Sequence, residues 1–313
     1  MIERRDLLCL GMTSAAIAIA PRWLHASSSD LLRQRTIPST GERLPVIGLG
    51  SSASFEQSAN RGDLQGLTEV LKVMTDQGAK VFDTAPSYGA SEAVAGRIAK
   101  ELGIAERIFW ATKTELSAYV SDDVASARAQ VQESFSKLGV KKLDLVQVHN
   151  LGNLQTKLTI LKDLKRHGLI RYLGVTTTFP DQYSELLNCM YNERIDFIGV
   201  DYAIDDREVE KRILPTAIDR GIAVMGYVPF GRSNLFKRVA GSNVPEWAQE
   251  ADMKTWPQFF IKFVISHPAI TVVTPATSQP RHMWENLSGG IGPLPDEAMR
   301  RRMIAVVDNL PHG

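Results

Sequence analysis

The sequence predicts an α/β fold, a (β/α)8 barrel with an N-terminal β-hairpin and one extra C-terminal helix. The first observation is an alternation of short apolar runs with amphipathic segments of helical period, which is typical of parallel strands joined by helices. The second is the number of such units, because eight of them close into a barrel. The third is that no G-x-G-x-x-G turn opens an early helix, which disfavours the alternative, an open doubly wound sheet.

The predicted strands are short runs rich in Val, Ile, Leu and aromatic residues, bounded by turn residues. They cover residues 46–49, 80–82, 108–111, 143–148, 170–175, 197–200, 222–225 and 270–273. The hairpin that precedes them is predicted around the turn Ser39-Thr40-Gly41-Glu42.

The segments between the strands have the apolar period of helices, and several end at a glycine, which favours the left-handed conformation after a helix. Helices are predicted over about 64–77, 91–101, 121–138, 154–167, 181–191, 206–220, 255–266 and 279–287, with an extra helix over 296–308. Ser91 is predicted to cap the second of these helices. The segments 51–62 and 226–252 have no readable helical pattern, and we predict loops there.

The first 26 residues have the composition of an export signal. Arg4 and Arg5 precede a mainly apolar run over 7–20, shorter than the about 20 apolar residues that a membrane-spanning helix needs. The adjacent arginines favour the twin-arginine type, and the small residue Ala26 indicates the cleavage position. The alternative is a basic N-terminal helix of a cytosolic protein. The expected divisions are the signal, 1–26, a spacer, 27–34, and a single barrel domain, 35–313.

This interpretation places the mature protein in the periplasm, with the twin-arginine machinery as its partner during transport and no stable membrane anchor. The net charge of +1 gives no reason to expect nucleic acid or an acidic membrane as a partner. Cleavage would leave Cys189 as the one cysteine, which excludes an intramolecular disulfide and a metal site built on cysteine pairs. We expect Cys189 to be a small core residue.

Four polar residues are predicted to share the mouth of the barrel. Asp83 ends the second strand, Tyr88 lies in the following loop, and Lys113 and His149 end the third and fourth strands. Chemistry in such barrels lies at the C-terminal ends of the strands, and adjacent strands are about 4.8 Å apart. Each residue alone has an ordinary structural explanation, as a cap, an ion-pair partner or a packing residue. Their joint placement is what indicates a functional site.

The chemistry that these residues allow is proton transfer. A free tyrosine has a pKa of about 10, and a nearby ammonium group lowers it. We expect Lys113 to lower the pKa of Tyr88, Asp83 to hold Lys113 in a buried ion pair, and His149 to orient a substrate oxygen. Tyr88 would then give a proton to a carbonyl oxygen as a hydride reaches the carbon.

From about residue 35 to 287 the chain resembles the aldo-keto reductase family. The matching pieces are LPVIGLG, FDTAPSYG with SEAVAGRIA, ATKTE, LDLVQVHN, LIRYLGVTTT and TPATSQPRHMWENL, all in the order of the family. The resemblance implies a barrel that reduces a small aldehyde or ketone with NADP(H), or alternatively NAD(H), without a metal. It also implies that the catalytic tetrad of the family falls on Asp83, Tyr88, Lys113 and His149.

The cofactor residues implied by the resemblance depart from the family pattern in two places. The Ser-Asn pair after the fifth strand is Thr176-Thr177 here, and Gly199 replaces a glutamine of the sixth strand, so we expect fewer contacts to the nicotinamide amide. Tyr227 matches the aromatic residue that stacks on the nicotinamide. A helix N-terminus favours phosphate binding. Many relatives place basic residues in this loop, whereas this chain has Ala276 and His282 at two of those positions, and we expect Arg281 or Arg232 to compensate. The remaining expected residues are Thr277, Ser278, His282, Glu285 and Asn286.

Two other functions stay open at this point. A nucleotide-binding or redox-sensing barrel with little turnover would fit the departures at Thr177 and Gly199 and export to a compartment with no evident NADPH supply. Because the twin-arginine route carries folded proteins, such a barrel would be loaded with cofactor before export. An aldolase would use Lys113 as a Schiff-base lysine, although Asp83 and Tyr88 fit that chemistry less well.

Overall fold

The structure, a computed structural model, describes residues 31–115 and 124–310. The predicted export signal and the first residues of the spacer lie outside the described residues, as does the predicted start of the helix at 121. Within the described ranges, none of the helices combines the length and the hydropathy that a membrane span requires.

Eight parallel strands form a barrel, which confirms the predicted fold class. An antiparallel hairpin precedes them, and each barrel strand pairs with the next one along the chain. Single parallel bridges from Ile47 to Val273 and from Gly50 to Ala276 bring the first and last barrel strands together. The hairpin strands are β1 (Gln34–Thr36) and β2 (Arg43–Pro45), and the barrel strands are β3 (Leu49–Gly50), β4 (Val81–Asp83), β5 (Phe109–Thr114), β6 (Leu143–Val148), β7 (Ile170–Thr177), β8 (Phe197–Asp201), β9 (Ala223–Tyr227) and β10 (Ile270–Val273).

Several strands extend further toward the barrel mouth than their apolar runs predict. Strand β5 continues through Lys113 to Thr114, and β7 continues to Thr177. The register pairs Lys113 with Gln147 and Thr114 with Val148, so backbone pairing persists where the side chains become polar. A prediction based on apolar runs ends the strand too early because it detects side-chain burial and not backbone pairing.

The helices surround the barrel and largely match the predicted segments. Within the described residues they are α1 (Ser54–Arg61), α2 (Leu64–Asp76), α3 (Ser91–Glu101), α4 (Val124–Leu138), α5 (Leu154–Arg166), α6 (Tyr183–Asn192), α7 (Ile213–Arg220), α8 (Asn234–Arg238), α9 (Trp256–Ser266), α10 (Pro280–Ser288) and α11 (Glu297–Asp308). The predicted helix over 206–220 is divided, since a 3-10 turn over Glu208–Glu210 precedes α7.

Helices α1 and α8 correct two predicted loops, and Ser91 is not the predicted cap. Helix α1 has eight residues, fewer than the roughly 11–18 over which a helical period is read, and of the residues it buries, Phe55, Ser58 and Ala59, only Phe55 is large and apolar. Helix α8 has only five residues, which is too short for any period. Ser91 is the first residue of α3 and its hydroxyl donates to the carbonyl of Ser51, 3.3 Å away.

The core has two parts, one inside the barrel and one between strands and helices. Side chains such as Val81, Phe109 and Phe197 fill the interior, and Ile37 and Leu44 of the hairpin segment pack beneath them. The hairpin therefore closes the N-terminal end, and the C-terminal ends of the strands form the accessible mouth. Cys189 is 2% exposed between the strands and helices, which confirms its expected core position.

Candidate active site

A buried ion pair lies at the mouth of the barrel between β4 and β5. Lys113 Nζ donates to Asp83 Oδ2 and to the carbonyl oxygen of Thr84, at 2.8 Å in each case. Lys113 is 2% exposed and Asp83 is 4% exposed. Burial acts to lower the pKa of Lys113, but the charge of Asp83 and the neighbouring phenols raise it above its ordinary value. Lys113 is therefore held as an ammonium group.

Tyr88 lies in the loop that follows β4, with its ring centroid 5.0 Å from Lys113 Nζ. Its ring also packs edge-on against His149, with centroids 6.1 Å apart. Burial raises the pKa of Tyr88 above its ordinary value, while Lys113 acts in the opposite direction. The expected net lowering is therefore wrong, because desolvation outweighs the ammonium charge. The phenol is protonated at neutral pH and is available as a proton donor.

His149 begins a 3-10 turn directly after β6, and its ring contacts a residue that sequence reasoning missed. His149 Nδ1 lies 2.5 Å from Glu115 Oε2, while Glu115 Oε1 accepts a hydrogen bond from the Ser87 backbone N–H at 2.7 Å. Burial acts to raise the pKa of Glu115, but the hydrogen bonds from His149 and Ser87 lower it to about 2. Thr114 pairs with Val148, so the β5–β6 register continued by one residue places Glu115 beside His149. This register is the signal that could have predicted the contact.

The four predicted residues at the strand ends line one cavity of about 450 Å³. A second cavity of about 440 Å³ adjoins it at the N-terminus of α10. Ser54, Phe230, Ser233 and Ala276 line both, so the two cavities lie next to each other. The second cavity brings together the predicted residues Thr277, Ser278, His282, Glu285 and Asn286.

Comparison with known proteins assigns the chain to a family. The family model described as "Aldo/keto reductase family" matches residues 46–304 of the chain. The chain belongs to the aldo/keto reductase family. It is similar to the aldo-keto reductase YhdN of Bacillus subtilis, with 29% identity over 227 residues, covering 69% of this chain and 66% of the relative. That match spans slightly less than two thirds of the relative's length.

Two further similarities involve named reductases. The NADH-specific methylglyoxal reductase of Escherichia coli is 28% identical over 251 residues, covering 72% of this chain and 76% of the relative. The solved structure of an aldo-keto reductase from Klebsiella pneumoniae in complex with NADPH aligns with a TM-score of 0.72 at 20% identity, covering 88% of this chain and 95% of that one. The structural likeness supports the barrel fold of this aldo/keto reductase.

Tyr227 occupies the space that Gly199 leaves open in this aldo/keto reductase. A Cβ atom added to Gly199 would lie 2.5 Å from the Tyr227 ring, so any larger residue would displace it. The Tyr227 hydroxyl accepts a hydrogen bond from Gln147 Nε2 at 3.0 Å, and the ring centroid is 5.4 Å from Lys113 Nζ. The resemblance implies that Gly199 removes a side-chain contact to the cofactor. The small size of Gly199 also determines where Tyr227 lies.

The two threonines at the end of β7 face opposite sides of the strand. Thr176 lines the first cavity, and its hydroxyl accepts from the Asn150 backbone N–H at 3.1 Å. Thr177 does not line either cavity, and its hydroxyl contacts Gln182 and Phe179 behind the strand. Thr178, which was not predicted, lines the cavity instead. Strand alternation accounts for the difference, because residues 176 and 178 share a face.

Arg232 lies beside the first cavity and not in the second one, where the phosphate contact was expected. Its Nη2 atom is 2.6 Å from Asp201 Oδ2 at the end of β8. Burial raises the pKa of Asp201 to about 6, with Arg232 acting to lower it. Among the described residues that line the second cavity, the basic side chain is that of His282. Within the described ranges, His, Cys, Asp and Glu residues form no group of three or more that could hold a metal.

Proposed function

We propose that this chain is an NADP(H)-dependent oxidoreductase that reduces an aldehyde or ketone to an alcohol. The observation that carries the proposal is the placement of Tyr88, His149 and the Asp83–Lys113 ion pair around one cavity. The two adjacent cavities suit the two ends of a dinucleotide, since the second lies at a helix N-terminus with the hydroxyls of Thr277 and Ser278. Membership of the aldo/keto reductase family and the NADPH complex of the Klebsiella pneumoniae relative support it.

In the proposed mechanism the residues of this chain move and stabilise one proton. NADPH, when bound, would supply the hydride. Tyr88 donates its phenolic proton to the carbonyl oxygen, and the Lys113 ammonium stabilises the phenolate that remains. Asp83 keeps Lys113 in place through the 2.8 Å hydrogen bond. His149 orients the carbonyl oxygen toward Tyr88. Thr176 and Tyr227 border the position proposed for the nicotinamide.

The variant Tyr88→Phe tests the proton donor while preserving the ring that packs against His149. We expect kcat for NADPH oxidation with a test aldehyde such as methylglyoxal to fall at least about 100-fold, the scale of losing a general acid. Methylglyoxal is chosen because the Escherichia coli relative carries that substrate in its name. Nucleotide binding, followed by fluorescence titration, should be unchanged in the variant. Normal turnover by Tyr88→Phe would remove this residue from the mechanism.

The nucleotide preference follows from the second cavity and is tested by direct binding. We propose NADP(H), with His282 as the basic side chain nearest the expected phosphate position. The name of the Escherichia coli relative favours the alternative, NAD(H). Titration of the purified protein with NADPH and NADH separates the two. Tighter binding of NADH would replace NADP(H) in the proposal and leave the carbonyl reduction intact.

The two other functions gain less support from the geometry. A sensing barrel needs no proton donor, yet Tyr88 is placed beside both Lys113 and His149. A Schiff-base lysine is activated by a lowered pKa, whereas Asp83 raises that of Lys113. Reduction of a carbonyl is therefore the function that the site favours.

We also propose that the chain is exported to the periplasm by the twin-arginine route. The support is Arg4-Arg5 followed by the apolar run over 7–20. Replacement of both arginines by lysine should retain the protein in the cytoplasm, as measured by cell fractionation and immunoblotting. Undiminished export of that variant would contradict the assignment.

A further inference from the structure

Glu115 connects two parts of the site that come from different strands. Its Oε1 atom accepts the 2.7 Å hydrogen bond from the N–H of Ser87, the residue immediately before Tyr88. Its Oε2 atom lies 2.5 Å from His149 Nδ1. The Glu115 carboxylate therefore contacts both the loop that carries Tyr88 and the imidazole of His149, whose ring packs against Tyr88.

The position of Glu115 is itself held by the barrel and by α4. Its backbone N–H donates to Gln130 Oε1 of α4 at 2.7 Å, and Thr114 Oγ1 donates to the same oxygen at 3.2 Å. The Glu115 and His149 side chains are 23% and 14% exposed, so their contact is partly shielded from water. Charge-assisted hydrogen bonds of this length are stronger than neutral ones, and shielding increases their strength further.

The contact determines which nitrogen of His149 faces the substrate. A carboxylate accepts hydrogen bonds only, so the proton between the two groups belongs to Nδ1. Nε2 is then the ring atom left for the cavity, and it can donate to a carbonyl oxygen only when the ring carries both protons. In that state the Glu115 carboxylate would supply the balancing negative charge. Among the described residues, Tyr88 packs against the His149 ring, Asp83 interacts with it electrostatically, and Lys113 lines the same cavity.

We infer that Glu115 is a positioning residue for the reaction, a carboxylate clamp that joins the Tyr88 loop to His149 and keeps Nδ1 of that ring protonated. The kinetic part of this inference rests on the proposed function, whereas the protonation of Nδ1 does not. The clamp sets the orientation of both groups that would contact the carbonyl oxygen, so its loss should slow the chemical step more than it weakens nucleotide binding.

The first experiment is independent of turnover. Protein labelled with ¹⁵N at histidine is examined by NMR, with the His149 signals assigned from His149→Gln. The wild-type spectrum should show a protonated, hydrogen-bonded Nδ1. In Glu115→Gln the single side-chain oxygen cannot accept from both Ser87 N–H and Nδ1, and the NH2 group that then faces the ring is a donor, so the variant should lose that signature. A wild-type spectrum with an unprotonated Nδ1 would overturn the clamp. This measurement needs no substrate. If the protein had no reductase activity, the proposed function would be rejected, but the inference about the protonation of His149 Nδ1 would still be tested.

The second experiment measures the kinetic effect of the same substitution. Glu115→Gln should lower kcat by roughly 10- to 100-fold, the scale of losing one charge-assisted hydrogen bond, with KM for NADPH changed less than about 2-fold. In the His149→Gln background the substitution should have a much smaller effect, because its partner is already absent. Equal effects in both backgrounds, or an unchanged kcat, would contradict the inference. Glu133→Gln on α4, which removes an exposed carboxylate paired with Lys137, is the matched control and should leave kcat unchanged.

Discussion

The contact between Gly199 and Tyr227 makes a quantitative prediction about the interior of the barrel. In Gly199→Ala the new Cβ would lie 2.5 Å from Cε2 and from the hydroxyl oxygen of Tyr227, and 2.7 Å from its Cζ. Real side chains do not approach so closely, so the ring must move. Movement is resisted because the Tyr227 hydroxyl is bonded to Gln147 at 3.0 Å.

The expected cost combines three effects. Overpacking costs about 1–3 kcal/mol, and the lost hydrogen bond costs about 1 kcal/mol. Replacing glycine restricts the unfolded chain and returns about 0.4–1 kcal/mol. We therefore expect Gly199→Ala to lower the free energy of unfolding by roughly 1–3.5 kcal/mol, measured by urea denaturation. The displaced ring should also enter the first cavity and weaken nucleotide binding.

Two controls separate this contact from a general effect of alanine in a strand. Gly226 is also a strand glycine, and a Cβ there would meet its nearest atoms at 3.5–3.9 Å, which is ordinary contact. Gly226→Ala should be neutral or slightly stabilising. In the Tyr227→Ala background, Gly199→Ala should cost less than about 0.5 kcal/mol, since the obstructing ring is gone. An equal cost with and without the ring would refute the reasoning.

Two further predictions concern buried charges. Lys113→Met should lower the free energy of unfolding by about 3–5 kcal/mol at pH 7, because Asp83 is left buried without its partner. Adding Asp83→Asn should recover part of that loss in the same urea assay. If the double variant recovers nothing, the ion pair is not the source of the loss. Burial raises the pKa of Asp201 to about 6 from its ordinary value of about 3.9, so its ionisation removes stability as pH rises through about 6. Asp201→Asn should therefore gain stability relative to wild type between pH 4 and pH 7, by up to about 3 kcal/mol. The loss of the contact between Asp201 and Arg232 reduces this gain. If the melting temperatures of wild type and variant change in parallel across that pH range, the raised pKa of Asp201 is contradicted.

The sequence predicts the bounds of a strand or helix well where a few consecutive residues mark both of its ends. Strands β6 (LDLVQV) and β10 (ITVV) have their predicted bounds because an apolar residue begins and ends each of them. Helix α1 was missed because it has only eight residues and Phe55 is the one large apolar side chain that it buries. A short helix of this kind is stabilised by what it packs against, and that information is not contained in its own period.

The sequence alone determined the alternation of strands and helices, and therefore which polar residues reach the mouth of the barrel. Asp83, Tyr88, Lys113 and His149 could be chosen in this way because parallel strands bring their C-terminal ends to one side. Only the tertiary structure decided that Glu115 joins the Tyr88 loop to His149, that Tyr227 fills the space above Gly199, and that Thr177 faces away from the cavity. These outcomes depend on register, side-chain volume and desolvation, which arise between segments far apart in the chain and cannot be computed from any one of them.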